Sequence, residues 1–185
     1  MISNVPWLKK FERARVSALQ GDLRGLHDVR TSARRLRVWL RLAGLRVLED
    51  DLKWLCRETS ELRDLDVFGD VLTEAARLQL RPAAQKQAYA ALKSRRIDGV
   101  VFALKTLQAC DEHDARAVLN ELERELARTK WKLNDDAIHA YRRKIRRVRY
   151  AREWLGLDAQ QYAWAQEVLG TVCDVIALEQ LVAGR

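Results

Sequence analysis

The stretch H27-D-V-R-T-S-A-R-R-L-R-V-W-L-R-L-A-G-L-R46 decides the fold, because it contains six arginines and places five of them beside an apolar stripe on one predicted helix. At about 100° per residue, five of its basic positions fall within an arc of roughly 80°. They are His27, Arg30, Arg34, Arg37 and Arg41. Leucine, valine and alanine residues occupy the neighbouring arc, so the stretch predicts an amphipathic helix with a cationic row beside its core face.

This cationic helix recurs later in the chain as H139-A-Y-R-R-K-I-R-R-V-R-Y-A-R-E153. At a constant offset of 112 residues, a histidine and four arginines of the first copy match a histidine and four arginines of the second. The matched pairs are His27 with His139, Arg30 with Arg142, Arg34 with Arg146, Arg35 with Arg147, and Arg37 with Arg149. The repeat predicts two half-structures that present one electrostatic surface to a polyanion.

The repeat extends beyond the basic helix, because residues 159–182 match residues 49–72 at an offset of 110. Trp164 matches Trp54, and Asp174 matches Asp64. No linker or low-complexity tract separates the copies. We expect the first half to span residues 1 to about 95 and the second half about 96 to 185.

Composition favours helices throughout, because Leu, Ala, Arg and Glu dominate, only two prolines occur, and no stretch alternates as a strand does. We therefore expect an all-α protein. The predicted helices cover about 4–20, 23–43, 48–61, a segment after the Leu62–Val67 junction to about 80, 82–109, 115–130, 135–155 and 159–182. Asn134 is expected to cap the second basic helix, and Gly44 and Gly156 to end the two basic helices.

The positive charge is concentrated in the two basic helices. The net charge is +6 for residues 24–46 and +7 for residues 139–152, against +8 for the whole chain. Three widely separated cysteines form no CxxC pair, which argues against a disulfide framework or a zinc knuckle. The sequence shows neither a signal-type segment nor 18 consecutive uncharged apolar residues, so we expect a cytoplasmic protein that does not enter a membrane.

The predominance of arginine in these rows points to a phosphate ligand, since the planar guanidinium group binds phosphate oxygens through two hydrogen bonds at once. The row from His27 to Arg41 spans about 21 Å at 1.5 Å per residue, which suits an extended anion better than a single phosphate. Lys53 and Arg57, one turn apart on the third helix, are expected to add cations to the same surface.

Catalysis is not indicated. His27-Asp28 could suggest a metal-dependent phosphohydrolase, but the repeat has Ala140 at the position of Asp28. Asp64 and Asp174 are expected to cap helices at junctions, with orientation of a nearby arginine as the alternative. We therefore predict no enzyme activity, no metal and no cofactor, and we interpret His27 and His139 as anion contacts.

These motifs resemble those of the CHAD family, the conserved histidine α-helical domain. Its signature is a His-x-x-Arg-x-x-x-Arg-Arg-x-Arg helix, an Arg-Asp-x-Asp-Val junction, and a second such helix that continues through Tyr to Glu. Here these are His27–Arg37, Arg63–Val67 and His139–Glu153. The second junction has Cys173 where the first has Arg63.

The resemblance covers the whole chain and implies one CHAD-like domain, residues 1–185. It implies two antiparallel helical bundles related by an approximate internal two-fold axis, and binding of inorganic polyphosphate through the basic helices. The predicted polyphosphate contacts are His27, Arg30, Arg34, Arg35, Arg37, Arg41, Lys53, Arg57, His139, Arg142, Arg143, Arg146, Arg147 and Arg149.

Two other functions fit the charge pattern. One is an RNA-binding helical protein, although nucleic-acid surfaces normally add exposed aromatics for base stacking and only Tyr150 borders the predicted cationic face. The other is an adaptor whose basic face docks an acidic protein. Polyphosphate binding would place the chain in the cytoplasm, at polyphosphate granules, and the sequence leaves the oligomeric state open.

Overall fold

The computed structural model describes residues 1–68, 73–130 and 134–183, with side chains up to residue 179. Within these residues, nine helices and two short strands follow one another. In chain order they are β1 (Ile2–Ser3), α1 (Val5–Leu19), α2 (Leu23–Leu42), α3 (Arg46–Glu58), α4 (Ser60–Phe68), α5 (Glu74–Leu92), α6 (Arg95–Thr106), β2 (Ala109–Cys110), α7 (Glu112–Ala127), α8 (Asp135–Trp154) and α9 (Gln160–Ala183).

The all-α prediction is confirmed. The only pairing of strands among the described residues is the two-residue ladder between β1 and β2. Within the described residues, no helix is both long enough and apolar enough to cross a membrane.

The basic helices begin and end where local chemistry requires. Asp22 accepts a hydrogen bond from the Arg24 amide at the start of α2, and Asn134 accepts one from the Ala137 amide at the start of α8. Gly44 and Gly156, at φ +75° and +67°, follow the two helices in the left-handed conformation that glycine adopts without strain. The predictions for Asn134, Gly44 and Gly156 are thus confirmed.

The prediction that Asp64 and Asp174 cap helices is wrong. The break between α3 and α4 falls earlier, at Thr59, so Asp64 lies inside α4, and α9 runs without a break through Asp174. The Thr59 hydroxyl donates to the Leu55 carbonyl at 2.8 Å and occupies an acceptor at the end of α3. The expected start of the next helix falls partly on residues 69–72, outside the described residues.

The long helix predicted over 82–109 is divided in the structure. Pro82 lies inside α5 instead of starting a helix, and the chain breaks at Ser94, whose hydroxyl accepts a hydrogen bond from the Ile97 amide and caps α6. Serine competes with the helix for backbone hydrogen bonds and therefore favours such a break.

The chain forms two compact units, one of Met1 and Ser3–Cys110 and the other of Ile2 and Asp111–Arg185. In the first unit, α2 packs between α1 and α3, and α5 and α6 cover α3 and α4. Its fully buried side chains include Phe11, Leu36, Trp39, Leu40 and Leu52. The unit extends past residue 95, where the sequence analysis set the boundary, because α6 packs against α1 and α3.

In the second unit, α8 packs against both α7 and α9. Its buried side chains include Ala115, Leu119, Ile145 and Val148. The apolar faces predicted for the two basic helices therefore lie in the cores of their own units. The approximate two-fold relation between the halves stays a prediction.

Candidate polyanion-binding site

Arg30 lies in the interior of the first unit, with only 8% of its surface exposed. Its Nη1 donates to the Cys56 carbonyl and, at 2.9 Å, to Thr59 Oγ1. Burial is the main cause that lowers the pKa of Arg30 to about 10, which still leaves the side chain charged at neutral pH. Arg30 thus joins α2 to the break between α3 and α4, and its hydrogen bonds serve the protein itself.

Arg34 and Arg63 lie beside Arg30 but differ from it in their bonding. Within the described residues, neither guanidinium donates a hydrogen bond or forms an ion pair. Both side chains are half-buried, which restricts their orientation without removing them from solvent. Arg34 is on α2 and Arg63 on α4, two helices in contact. Both cations are therefore available to a ligand.

His27 completes this group at the start of α2. Its side chain is exposed, and Nε2 lies 3.4 Å from Thr31 Oγ1. Partial burial lowers the pKa of His27 most, and the charges of Arg63, Arg34 and Lys10 lower it further, against the opposing effect of Asp28. We call His27, Arg34 and Arg63 the first basic face.

Asp64 is the acid beside this face. Desolvation by the surrounding protein raises the pKa of its carboxyl group, although Arg30, Arg63 and Arg34 act to lower it. The ionised carboxylate offsets part of the repulsion among the three guanidinium groups. Asp64 therefore acts beside these arginines, as in the alternative to helix capping, and belongs to the electrostatic site.

The later part of the cationic row on α2 is engaged inside the protein. Arg37 Nη2 lies 3.7 Å from Glu49 Oε1, and Arg41 Nε lies 3.2 Å from Glu49 Oε2. Glu49 is itself buried, so its charge acts on both arginines with little screening. Arg35 lies over the ring of Trp7, 4.3 Å from the centroid. The row that looks uniform in sequence thus contains arginines that already have contacts within the protein and others that stay available.

Lys53 and Arg57 extend into solvent from α3, as expected for added cations. Lys53 lies 3.9 Å from Asp50, and Arg57 lies 3.1 Å from Glu58. The two cations are 68% and 74% exposed, and ion pairs of such exposed cations contribute little energy and open readily for another anion.

Arg142 is the counterpart of Arg30 in the second unit, and it packs differently. Its Nη2 would lie 3.1 Å from a Cβ placed on Gly170, so the absence of a side chain on α9 makes room for the guanidinium. The buried thiol of Cys173 is a further neighbour. Burial raises the pKa of this thiol, while the charge of Arg142 and a hydrogen bond from it act in the opposite direction.

The other cations of α8 differ in burial and in their contacts. Arg149 Nε donates to Glu153 at 2.7 Å and lies over the Tyr150 ring. Arg146 and Arg147 are half-buried and have partners of their own. Arg143 is exposed, and His139 is half-buried. We call these predicted contacts of α8 the second basic face, comprising His139, Arg142, Arg143, Arg146, Arg147 and Arg149.

Comparison with known proteins identifies the family. The model of the CHAD domain matches residues 7–183. The chain belongs to the CHAD domain family. Among solved structures, it is similar to the CHAD domain from the plant Ricinus communis, with a TM-score of 0.73 and 22% identity over 98% of this chain and 75% of that one. It is also similar to PptA from Streptomyces chartreusis, with a TM-score of 0.71 and 17% identity over 100% of this chain and 86% of that one. Among curated proteins, no sequence matches it.

Family membership confirms the resemblance noted from the two basic helices and the junction between them. At these levels of identity, the two solved structures establish the fold of the chain alone. The fourteen predicted contacts of this CHAD protein stay predictions, and their positions rank them by availability. Arg34 is available, Lys53 and Arg57 form exposed ion pairs, and Arg30 is enclosed.

Arg63 is the site residue that the sequence analysis missed. The signal was present in the Arg63–Val67 motif, but that motif was interpreted as a junction with capping aspartates. Once α4 is continuous, the motif places Arg63 beside His27 and Asp64 beside Arg30. Among the described residues of this CHAD domain, no cluster of three or more His, Cys, Asp or Glu side chains could hold a metal ion.

Proposed function

We propose that the chain binds inorganic polyphosphate through the first and second basic faces, and that it does so without catalysing a reaction. The group formed by His27, Arg34 and Arg63 carries this proposal, because two guanidinium groups there keep their hydrogen-bond donors available beside a histidine. Guanidinium groups stay protonated, so they hold phosphate oxygens but do not transfer protons.

A linear polyanion fits this arrangement better than a compact one. The available cations lie on two different helices, and Lys53 and Arg57 add exposed charge on a third. Membership of the CHAD family favours polyphosphate among linear polyanions. We place the protein in the cytoplasm, at polyphosphate granules, as part of the same proposal.

The test compares polyphosphate with RNA of matched total charge as competitors for the chain, with a labelled long-chain polyphosphate as the reporter. We expect polyphosphate to displace the reporter at lower concentration, because bases need exposed aromatic rings to stack on, and Tyr150, the aromatic residue beside the second basic face, is buried. Affinity should fall steeply with added salt, as expected when a polyanion releases condensed counterions. Equal displacement by RNA would replace the proposal with a general polyanion-binding function, and resistance to both would favour an acidic protein partner.

The double variant Arg34→Ala with Arg63→Ala locates the site. Removing two charge-assisted contacts should weaken binding on the order of 100-fold. The matched control is Arg46→Ala with Arg95→Ala, which removes the same charge from two exposed arginines of the same unit. A few-fold loss is expected for the control. Equal losses for the two double variants would mean that net charge alone, and not the first basic face, determines binding.

A further inference from the structure

Arg37 and Arg41 belong to the cationic row of α2 but lie apart from the first basic face. By helical phase they share the arc of His27 and Arg34, so their positions on α2 alone would present them to the same ligand. The difference comes from α3, which packs against α2 and carries Glu49 in its first turn. This buried glutamate meets both arginines with one carboxylate. One residue of α3 therefore decides where the two guanidinium groups lie.

The two arginines are held with different strength. Arg41 Nε donates a hydrogen bond to Glu49 Oε2 at 3.2 Å. Arg37 Nη2 lies 3.7 Å from Glu49 Oε1, which is too far for a hydrogen bond. The Nε atom of Arg37 is buried and has no hydrogen-bond partner within the described residues. Arg37 thus keeps an unused donor and is held mainly by the charge of Glu49.

The charge of Glu49 is the reason that both guanidinium groups stay at α3. The two arginine side chains are each 17% exposed, and a positive charge that loses its partner in such a place is costly to keep there. A glutamine at position 49 has nearly the same volume but no charge. Because an arginine side chain can extend its charged group to the surface, both arginines would then turn toward an anion bound beside Arg34.

This arrangement shortens the row of cations that α2 offers to a bound polyanion. From His27 to Arg34 the row spans about 10 Å at 1.5 Å per residue, whereas a row that continued to Arg41 would span about 21 Å. A longer row contacts more phosphate groups of one polymer chain. The number of these contacts sets both the affinity and its salt dependence, because each contacted phosphate releases condensed counterions.

We propose that Glu49 limits the length of polyphosphate that α2 contacts, by holding Arg37 and Arg41 against α3. Glu49 is a positioning residue, since it acts through the two arginines and does not contact the polymer. The inference rests on the proposed function, which would fail if the parent chain did not bind polyphosphate. A parent that binds, with variants of Glu49 that bind in the same way, would refute only the role of Glu49.

The test measures the affinity of the full chain for polyphosphate of graded length at several salt concentrations. Glu49→Gln should bind long chains on the order of tenfold more tightly than the parent, because two further charge-assisted contacts form. The slope of log affinity against log salt concentration should steepen by roughly 0.7 for each added contact. Affinity should also keep rising with chain length beyond the point at which the parent reaches a plateau. A merely structural role of Glu49 would produce neither the steeper slope nor the later plateau.

Asp51→Asn is the matched control, because Asp51 lies on the same helix, has a 19% exposed side chain and pairs with Arg96 of α6 at 2.6 Å. It removes the same charge without changing a contact of the α2 row, so its slope and plateau should stay close to those of the parent. Adding Arg37→Ala and Arg41→Ala to Glu49→Gln should abolish the gain. An equal gain in Asp51→Asn, or a gain that persists in the triple variant, would overturn the proposal.

Arg37→Ala alone provides a variant whose folding is secure, because the hydrogen bond between Arg41 and Glu49 stays intact. Its affinity for polyphosphate should stay within about twofold of the parent, whereas Arg34→Ala should lose about tenfold. Equal losses in these two variants would mean that Arg37 already contacts the polymer in the parent, and the proposal would then be wrong.

Discussion

The two units use the same arginine of the repeat for different purposes. Arg30 is enclosed and donates to the Cys56 carbonyl and to Thr59. Arg142 instead packs over Gly170 beside Cys173. The comparison shows that a residue repeated in register keeps its position on the helix, whereas its role depends on what the neighbouring helix places opposite it.

The second difference concerns Arg63, whose counterpart is Cys173. In the first unit this position adds a cation beside His27 and Asp64. In the second unit it contributes a thiol that is only 2% exposed. A charged group at the first basic face thus corresponds to a core residue in the second unit, so the two faces should contribute unequally to binding of a polyanion.

The strongest test of this difference is the stability of Arg30→Ala compared with Arg142→Ala. Removing Arg30 leaves the Thr59 hydroxyl and the Cys56 carbonyl without their charged donor in a buried place, which should cost about 3 kcal/mol of unfolding free energy. Removing Arg142 should cost about 1 kcal/mol, because its side chain is only half-buried and solvent can reach the groups that it leaves. Denaturant unfolding measures the total loss of unfolding free energy in each variant. Hydrogen exchange of the α3 and α4 amides tests whether the loss in Arg30→Ala falls in the first unit.

Arg30→Lys is the control for charge in that experiment. Lysine keeps the positive charge, but its single ammonium group cannot reach both acceptors as the guanidinium group does. About half of the unfolding free energy lost in Arg30→Ala should therefore be restored. If Arg30→Ala and Arg142→Ala proved equally stable, the distinction between a structural and an available arginine would be wrong.

The sequence was sufficient to predict what depends on periodicity. The apolar face of α2 and the caps at Asn134 and Gly44 could be obtained from spacing and residue type. These features are local, since each involves residues within a few turns of one helix.

Contacts between helices were not accessible in the same way. Glu49 of α3 forms ion pairs with Arg37 and Arg41, and no pattern within α2 indicates this. Likewise, the Arg63–Val67 motif fits both a helix junction and a helix interior, and only the break at Thr59 decides between them. The sequence therefore predicted where the cations lie along the chain, but not which of them stay available.

The next test concerns pH and distinguishes His27 from His139. The pKa of His27 lies below its usual value in the free protein, chiefly through burial and then through Arg63 and Arg34. A bound polyanion raises this pKa, so binding takes up a proton. Affinity should therefore strengthen as pH falls from the pKa in the complex to the lower pKa of the free protein. One proton permits a gain of about tenfold per pH unit at most.

The measurement is affinity for long-chain polyphosphate from pH 5.5 to 8.5 at fixed ionic strength, a range chosen to span the usual histidine pKa of about 6.5. His27→Gln should flatten the profile, and His139→Gln is the matched control that should leave most of the slope. Arg63→Ala should move the steep region to higher pH, because one of the charges that lower the pKa of His27 is removed. Parallel profiles for the parent and His27→Gln would exclude the histidine from the first basic face.

The smallest expected effect comes from Gly170→Ala, which changes only the space available to Arg142. Alanine within a helix is more favourable than glycine by about 1 kcal/mol, so thermal stability should rise slightly. The new Cβ would lie 3.1 Å from Arg142 Nη2, and the guanidinium, as the end of a flexible side chain, must move away. If Arg142 contacts polyphosphate, affinity should fall about threefold while the protein becomes more stable, a combination that general damage does not produce.

Ser60→Ala, at the matching position of the first unit, is the control, because its hydroxyl donates to the Arg57 carbonyl and not to an arginine of α2. Unchanged affinity in Gly170→Ala would assign Arg142, like Arg30, to the structure of its unit, and the difference between the two arginines would then be one of packing alone.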